Sequence, residues 1–200
     1  MSRPLLVTGF GPFPGVADNP TAALAQALDG AQLGPVTVVG RVLPVHWVDG
    51  PARAIATARA IDAAWVIGFG VAVGRAGVEV ETRAVADLAP KPDAAGALPP
   101  RLDGPPAVTA TVDCARLAAA LGARCSSDAG RYVCNAWLYQ VVTALPGVGV
   151  GFVHVPAAGI APADALAGLA AWLAHPGAIG DATPLASDGD RLARRGVRGT

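Results

Sequence analysis

Short apolar runs alternate along this chain with longer stretches in which apolar residues recur at helical spacing. Leu5 to Thr8 reads as a buried strand. A Gly/Pro loop follows from Gly9 to Asp18. Asn19-Pro20 then supplies an N-cap with proline at the first helical position, which predicts a helix from Pro20 to about Leu28. Val36 to Val45 is rich in β-branched residues and reads as a second strand, Val48 to Ile61 as an Ala-rich helix, and Ala64 to Gly68 as a third strand. A second Gly-rich loop spans Gly68 to Gly77. Val78 to Val85 then alternates with the two-residue period of a half-buried strand, which puts Glu79, Glu81 and Arg83 on one face.

Residues 87–106 are dense in Pro, Asp and Gly and form a long excursion, of a kind more often functional than idle, so it is expected near the site. Asp113 can cap a short helix through Leu121, Ala123 to Ser126 is a candidate strand, and Cys134 to about Ala144 is the next helix. Val148 to Val155 reads as a strand, Ala161 to Ala174 as the last long helix, and the Gly/Asp/Arg-rich end from Pro176 as loop. Strand and helix in alternation point to parallel pairing. The expected fold is a single-domain three-layer α/β/α sandwich with a mostly parallel twisted central sheet.

Two hundred residues, 52% of them hydrophobic, are enough for one domain over residues 1–200 with a full core. Fifteen basic residues against fifteen acidic ones give formal net charge zero, so there is no basic footprint for nucleic acid. The N-terminus carries no signal-peptide run and no stretch of about eighteen apolar residues occurs, which leads to the expectation of a soluble cytoplasmic protein with no membrane partner. The three cysteines, at 114, 125 and 134, have neither CxxC spacing nor a nearby His pair, so neither a disulfide framework nor a metal site is expected.

Candidate chemistry gathers at Cys134. It begins an apolar-periodic stretch, where unpaired N–H groups and a partial positive charge at a helix start stabilise a thiolate and later an oxyanion. Asn135 beside it is a poor choice for a purely apolar slot. Cys114 shares an apolar helix face with Leu117 and Leu121, and Cys125 sits in a candidate strand, so both read as packing. His154 lies next to the end of a strand that stops at Pro156, where ligands collect in open α/β sheets. His46, which flanks a strand, and His175, which ends a helix, have weaker claims. A carboxylate to orient the imidazole could be Glu79 or Glu81, and spacing alone prefers neither. The two Gly-rich loops lack GxGxxG spacing and no Walker GK[ST] is present, so no phosphate cradle is expected. Phe10 and Phe13, set among prolines, suit an apolar slot for a small flat group.

Four segments in register carry a resemblance: Thr8-Gly9-Phe10-Gly11-Pro12-Phe13 with Asn19-Pro20, the Gly74-Arg75 loop leading to Glu81, Gly130-Arg131-Tyr132-Val133-Cys134-Asn135, and Gly151-Phe152-Val153-His154-Val155-Pro156. Together they resemble pyroglutamyl peptidase I, and the likeness covers most of residues 5–156. It implies a cytosolic cysteine peptidase that removes N-terminal pyroglutamyl residues from peptides, needs no metal or other cofactor and assembles as a homotetramer. It puts the nucleophile on Cys134, the base and acid on His154 and the orienting carboxylate on Glu81. It also assigns Phe10 and Phe13 to the lactam pocket with Val71 and Val133, and gives Asn19 the task of holding the first loop. Val71 stands where the family usually has glutamine, and the segment after Glu81 departs from the family pattern at Thr82 to Ala86 and at Lys91 to Ala94. Two alternatives remain at this level: the same Cys-His-Glu hydrolase acting on another amide, and a catalytically silent small-molecule binder.

Overall fold

In the computed structural model residues 2–174 are described, so the expectations for His175 and for the end of the chain from Pro176 lie outside the described residues. The elements run β1 (Leu5–Phe10), α1 (Pro20–Leu28), β2 (Gln32–Leu33), β3 (Val36–Leu43), α2 (Asp49–Ala60), β4 (Trp65–Val71), β5 (Glu79–Glu81), β6 (Arg83–Val85) and β7 (Ala107–Thr109). They continue with α3 (Cys114–Ala120), β8 (Arg124–Ser126), α4 (Val133–Ala144), β9 (Gly149–Val155) and α5 (Pro162–Leu173). Seven strands form one sheet in the order β2-β3-β1-β4-β9-β5-β8. β3, β1, β4 and β9 pair in parallel, while β2 and β5 each meet a neighbour antiparallel. Nearly every residue of β1, β4 and β9 is buried, as expected of parallel strands covered on both faces.

One face of the sheet, with Val7, Ile67 and Val153, packs under α1, α3 and α5 through Leu24, Leu28, Leu117, Leu169 and Trp172. The other, with Leu6, Val66 and Phe152, packs under α2 and α4 through Ala54, Ala58, Trp137 and Val141. This is the expected three-layer sandwich. The close seat of α1 requires glycine at position 9, where a Cβ would run into the carbonyl of Thr21. Alternation along the strands then places Phe10, Gly70 and His154 on the α2/α4 side, at the carboxyl ends of their strands.

The stretch from 78 to 85 is not one strand. It breaks at Thr82, whose N–H and Oγ1 both donate to the carbonyl of Ser126, at 2.7 and 3.0 Å. β5 stays in the large sheet, and β6 leaves it to pair with β7 in a separate two-stranded sheet. Glu79 and Glu81 therefore share a buried face, whereas Arg83 is exposed and lies elsewhere. Cys125 likewise departs from expectation: it is exposed on β8 rather than packed. Cys114 is half-buried against both cores, and burial, aided by nearby acidic groups, pushes its thiol up to about 12.

The excursion after β6 is fastened to the site's surroundings. Asp93 is buried and accepts hydrogen bonds from the N–H groups of Trp47, Ala95 and Ala97 at 3.0, 2.9 and 3.0 Å. Tyr132 Oη donates to the carbonyl of Pro92 (3.1 Å), and the Ala94 N–H to that of Val45 (3.0 Å). Burial works to raise the Asp93 pKa, but its three N–H donors and the charge of His46 outweigh it and hold the carboxyl below its ordinary range. Asp93→Ala should lower the unfolding free energy by about 3 kcal/mol, read as a reduced urea midpoint. Because the folded pKa is depressed, the wild-type advantage is present above the ordinary carboxylate range and must shrink as pH falls through it; a pH-independent difference would refute the charge as its source.

Candidate active site

The first wall comes from the loop after β1. Asn19 caps α1: its Oδ1 accepts from the Thr21 N–H (3.1 Å) and from Thr21 Oγ1 (2.8 Å), and its Nδ2 donates to the carbonyl of Gly11 (3.0 Å). Thr21 Oγ1 in turn accepts from the Phe10 N–H at 3.0 Å. The cap thus fixes where β1 ends and how the loop carrying Phe10 and Phe13 leaves it. Both polar atoms of Asn19 are engaged within the protein.

The second wall is the start of α4. Tyr132 is its N-cap, extended and with no side-chain cap hydrogen bond, so the first N–H groups of the helix, at Val133, Cys134 and Asn135, have no helical partner. Asn135 is buried and grips β6: its Nδ2 donates to the carbonyl of Val85 and its Oδ1 accepts the Val85 N–H, each at 2.8 Å. That clamp is what the polar residue beside the cysteine does, and residue type alone had only marked it as out of place in an apolar slot. Below Cys134 lies Gly70. A Cβ there would come within 2.9 Å of Cys134 Sγ and 2.8 Å of Phe152 Cζ, so the sulfur occupies space that any other residue would fill.

The third side is β9 with its antiparallel neighbour β5. His154 is buried, stacks edge-on against Phe152 with ring centroids 5.0 Å apart, and donates from Nδ1 to Glu81 Oε1 at 2.7 Å. With Nδ1 committed to a carboxylate, Nε2 is the nitrogen left to exchange a proton with Cys134. Burial pushes the His154 pKa down, but the hydrogen bonds and negative charges of Cys134 and Glu81 outweigh it and bring it up to about 9. Burial likewise works to raise the pKa of Glu81. The hydrogen bond of His154 and the charges of His154 and Arg75 overcome that and hold it below the ordinary range.

Glu79, the other candidate, is held by Arg124 and by Arg75, the second of which also reaches Glu81. The structure therefore pairs His154 with Glu81, keeps Cys134 near enough for its charge to act on the imidazole, and leaves Glu79 outside that pair. His46 lies against Asp49 (3.3 Å) and takes no part.

Beside Cys134 opens a cleft walled by Phe10, Phe13, Asn19, Val71 and Val133, the five pocket residues expected from the sequence. Val45, Gly70 and Tyr132 complete it and were not anticipated, since Val45 follows β3 in an unremarkable Pro-Val-His run and Tyr132 reads only as the residue before a helix. No charged side chain lines the cleft. The excursion at 87–106 does not line it either, but braces Val45 and Tyr132 from behind. Among the described residues no three His, Cys, Asp or Glu side chains converge in a way that could hold a metal ion.

A family model described as pyroglutamyl peptidase matches residues 3–167. The pyrrolidone-carboxylate peptidase of Mycobacterium marinum is 36% identical over 171 residues, covering 76% of this chain and 76% of its own length. That of Pyrococcus furiosus is 35% identical over 169 residues, covering 76% and 80%. Among solved structures, pyroglutamyl peptidase I of Bacillus amyloliquefaciens superposes with a TM-score of 0.77 at 25% identity, over 85% of this chain and 94% of that one. Pyrrolidone carboxyl peptidase of Thermococcus litoralis gives 0.76 at 26%, over 85% and 91%.

Gly70→Ala should displace Cys134 Sγ or the Phe152 ring and break the contact with His154. The alkylation rate of Cys134 by iodoacetamide is then expected to fall by about tenfold or more, with labelling of the exposed Cys125 as the internal standard. An unchanged ratio of the two rates in a folded variant would show that the sulfur does not depend on that space.

Proposed function

This chain belongs to the pyroglutamyl peptidase family, and we propose that it works with Cys134 as nucleophile, His154 as base and acid, and Glu81 as the carboxylate that orients the imidazole. The protein is a cysteine peptidase that removes N-terminal pyroglutamyl residues from peptides. The observation that carries the assignment of roles is the buried His154–Glu81 hydrogen bond, with Cys134 close by at the start of a helix and lining an uncharged cleft.

In the reaction Cys134 gives its proton to His154, and the thiolate attacks the pyroglutamyl carbonyl. The free N–H groups at the start of α4 receive the oxyanion. Imidazolium then protonates the departing amine. Water, deprotonated by the same imidazole, releases pyroglutamate and restores the thiol. Throughout, Glu81 holds Nδ1 protonated and Nε2 aimed at the sulfur.

Selectivity follows from what the cleft lacks. A pyroglutamyl residue has no α-ammonium group, so it enters a pocket lined by Phe10, Phe13, Val45, Val71 and Val133 without stranding a charge. An ordinary N-terminus would have to shed its hydration there. Val71 offers no side-chain hydrogen bond, and Asn19 commits Oδ1 to Thr21 and one Nδ2 hydrogen to the carbonyl of Gly11, so polar contact with the lactam falls to its second Nδ2 hydrogen and to main-chain groups. A silent binder would have no need of this convergence. The reading extends to one peptidase domain over residues 1–200, inferred from length and composition, acting in the cytoplasm as a homotetramer, the last of which rests on the sequence resemblance alone.

The wild type is expected to hydrolyse a chromogenic pyroglutamyl amide in preference to alanyl and prolyl amides, with Cys134→Ser and His154→Ala each reducing kcat/KM about a thousandfold or more. Preference for an alanyl or prolyl amide would favour another amide substrate. The imidazolium that protonates the leaving amine is present below its raised pKa and lost above it, so kcat/KM should decline on the alkaline side near pH 9. In Glu81→Gln that decline moves to lower pH, because the negative partner that supports the proton is gone; a limb that stays in place would exclude Glu81 from this role.

A further inference from the structure

The β5–β9 register sets Glu79, not Glu81, directly opposite His154, and the β5–β8 register sets Glu79 opposite Arg124. Two carboxylates on one buried face are thus within reach of a single imidazole, Glu79 being 3% exposed and Glu81 0%. Two such groups side by side would repel, and burial makes the repulsion costly. Arg75 lies between them. Its Nη1 pairs with Glu79 Oε2 and, at 2.6 Å, with Glu81 Oε1, the same oxygen that takes the proton of His154 Nδ1. Its Nη2 donates to the carbonyl of Asp128 at 2.6 Å, which anchors the fork at its far end. Arg124 closes the other side of Glu79, with Nε donating to Oε1 at 2.9 Å.

We propose that Arg75 is a positioning residue for the reaction: by bridging Glu79 and Glu81 it lets two buried carboxylates coexist, and it reserves the second for the imidazole of His154. This rests on the assignment of Glu81 to the catalytic chain made above. The groups that face Glu81 are few. They are Glu79 on its own strand, His154 on β9, Arg75 from the loop after β4, the Ser126 hydroxyl on β8, the Cys114 thiol of α3 against its main chain, and Cys134 of α4 beyond the imidazole. Arg75 is the cation that touches both carboxylates, and Arg124, 78% exposed at its side chain, is paired with Glu79 alone. A lysine at 75 would put a point charge where three acceptors need a planar fork.

The test compares pH profiles of kcat/KM on a pyroglutamyl amide for the wild type, Arg75→Gln, the double variant Arg75→Gln/Glu79→Gln, and Glu81→Gln. In Arg75→Gln the two carboxylates lose the cation they share, Arg124 still touching Glu79 alone, and take up a proton between them, so the acid limb should rise by about one pH unit or more while KM stays unchanged. Removing the second carboxylate together with the cation restores the balance, so the double variant should return the limb toward its wild-type position. A purely structural arginine would instead make the double variant no better than the single one. If Arg75→Gln does not fold, a folded double variant with a wild-type limb still supports the proposal, and one with a raised limb overturns it. An unshifted limb in a folded Arg75→Gln also overturns it. Undiminished activity in Glu81→Gln would remove the catalytic chain itself, a failure distinct from that of Arg75.

Discussion

A carboxylate and an imidazole sit hydrogen-bonded and buried, and nearly every other feature of the site is arranged around that fact. Left alone, burial would strip the charge from both Glu81 and His154. It does not, because each stabilises the charged form of the other and Cys134 and Arg75 extend the pairing at the two ends. The pair is assembled from two strands that run in opposite directions, so it exists only because β5 enters an otherwise parallel region reversed, and because the chain breaks at Thr82 immediately afterwards. A straight continuation of β5 would have carried Val85 away from the clamp that Asn135 places on it.

Much of this was legible from local pattern. Asn19-Pro20 marks the start of α1, and the helix spans the residues expected of it. Buried strands with helical stretches between them give the parallel sheet. The setting of Cys134 is visible as well, since a helix start is a local property. The break at Thr82 was not visible, because two-residue alternation continues unchanged through a bend and only the distant Ser126 carbonyl reveals it. For the same reason Arg83 looked like a neighbour of Glu81 when it belongs to another sheet. The short strands β2 and β7 carry too few residues to show any period.

The choice between Glu79 and Glu81 illustrates the limit more sharply. Both are glutamates on one face of one strand, and no local rule separates them. Resemblance to a family favoured Glu81, and the physical reason is that the imidazole of His154 reaches Glu81 while Arg124 closes on Glu79 and Arg75 is shared by both. Cys125 misled in the opposite sense: membership of a strand suggested packing, but β8 is an edge, and its thiol faces outward. The excursion at 87–106 has no periodicity to read, yet one buried aspartate gives it a fixed shape by gathering three N–H groups.

Phe152 stands at a junction. Its ring lies 5.3 Å from that of Trp137, 6.2 Å from that of Phe10 and 5.0 Å from the imidazole of His154, and it crowds the empty side of Gly70. Helix, cleft wall and proton carrier therefore share one aromatic neighbour, and none can be resized without tilting the others. Adaptation of the cleft to a different acyl group falls first to Phe13, which is only half-buried and stands outside this junction, so that volume can change there without disturbing the machinery beneath.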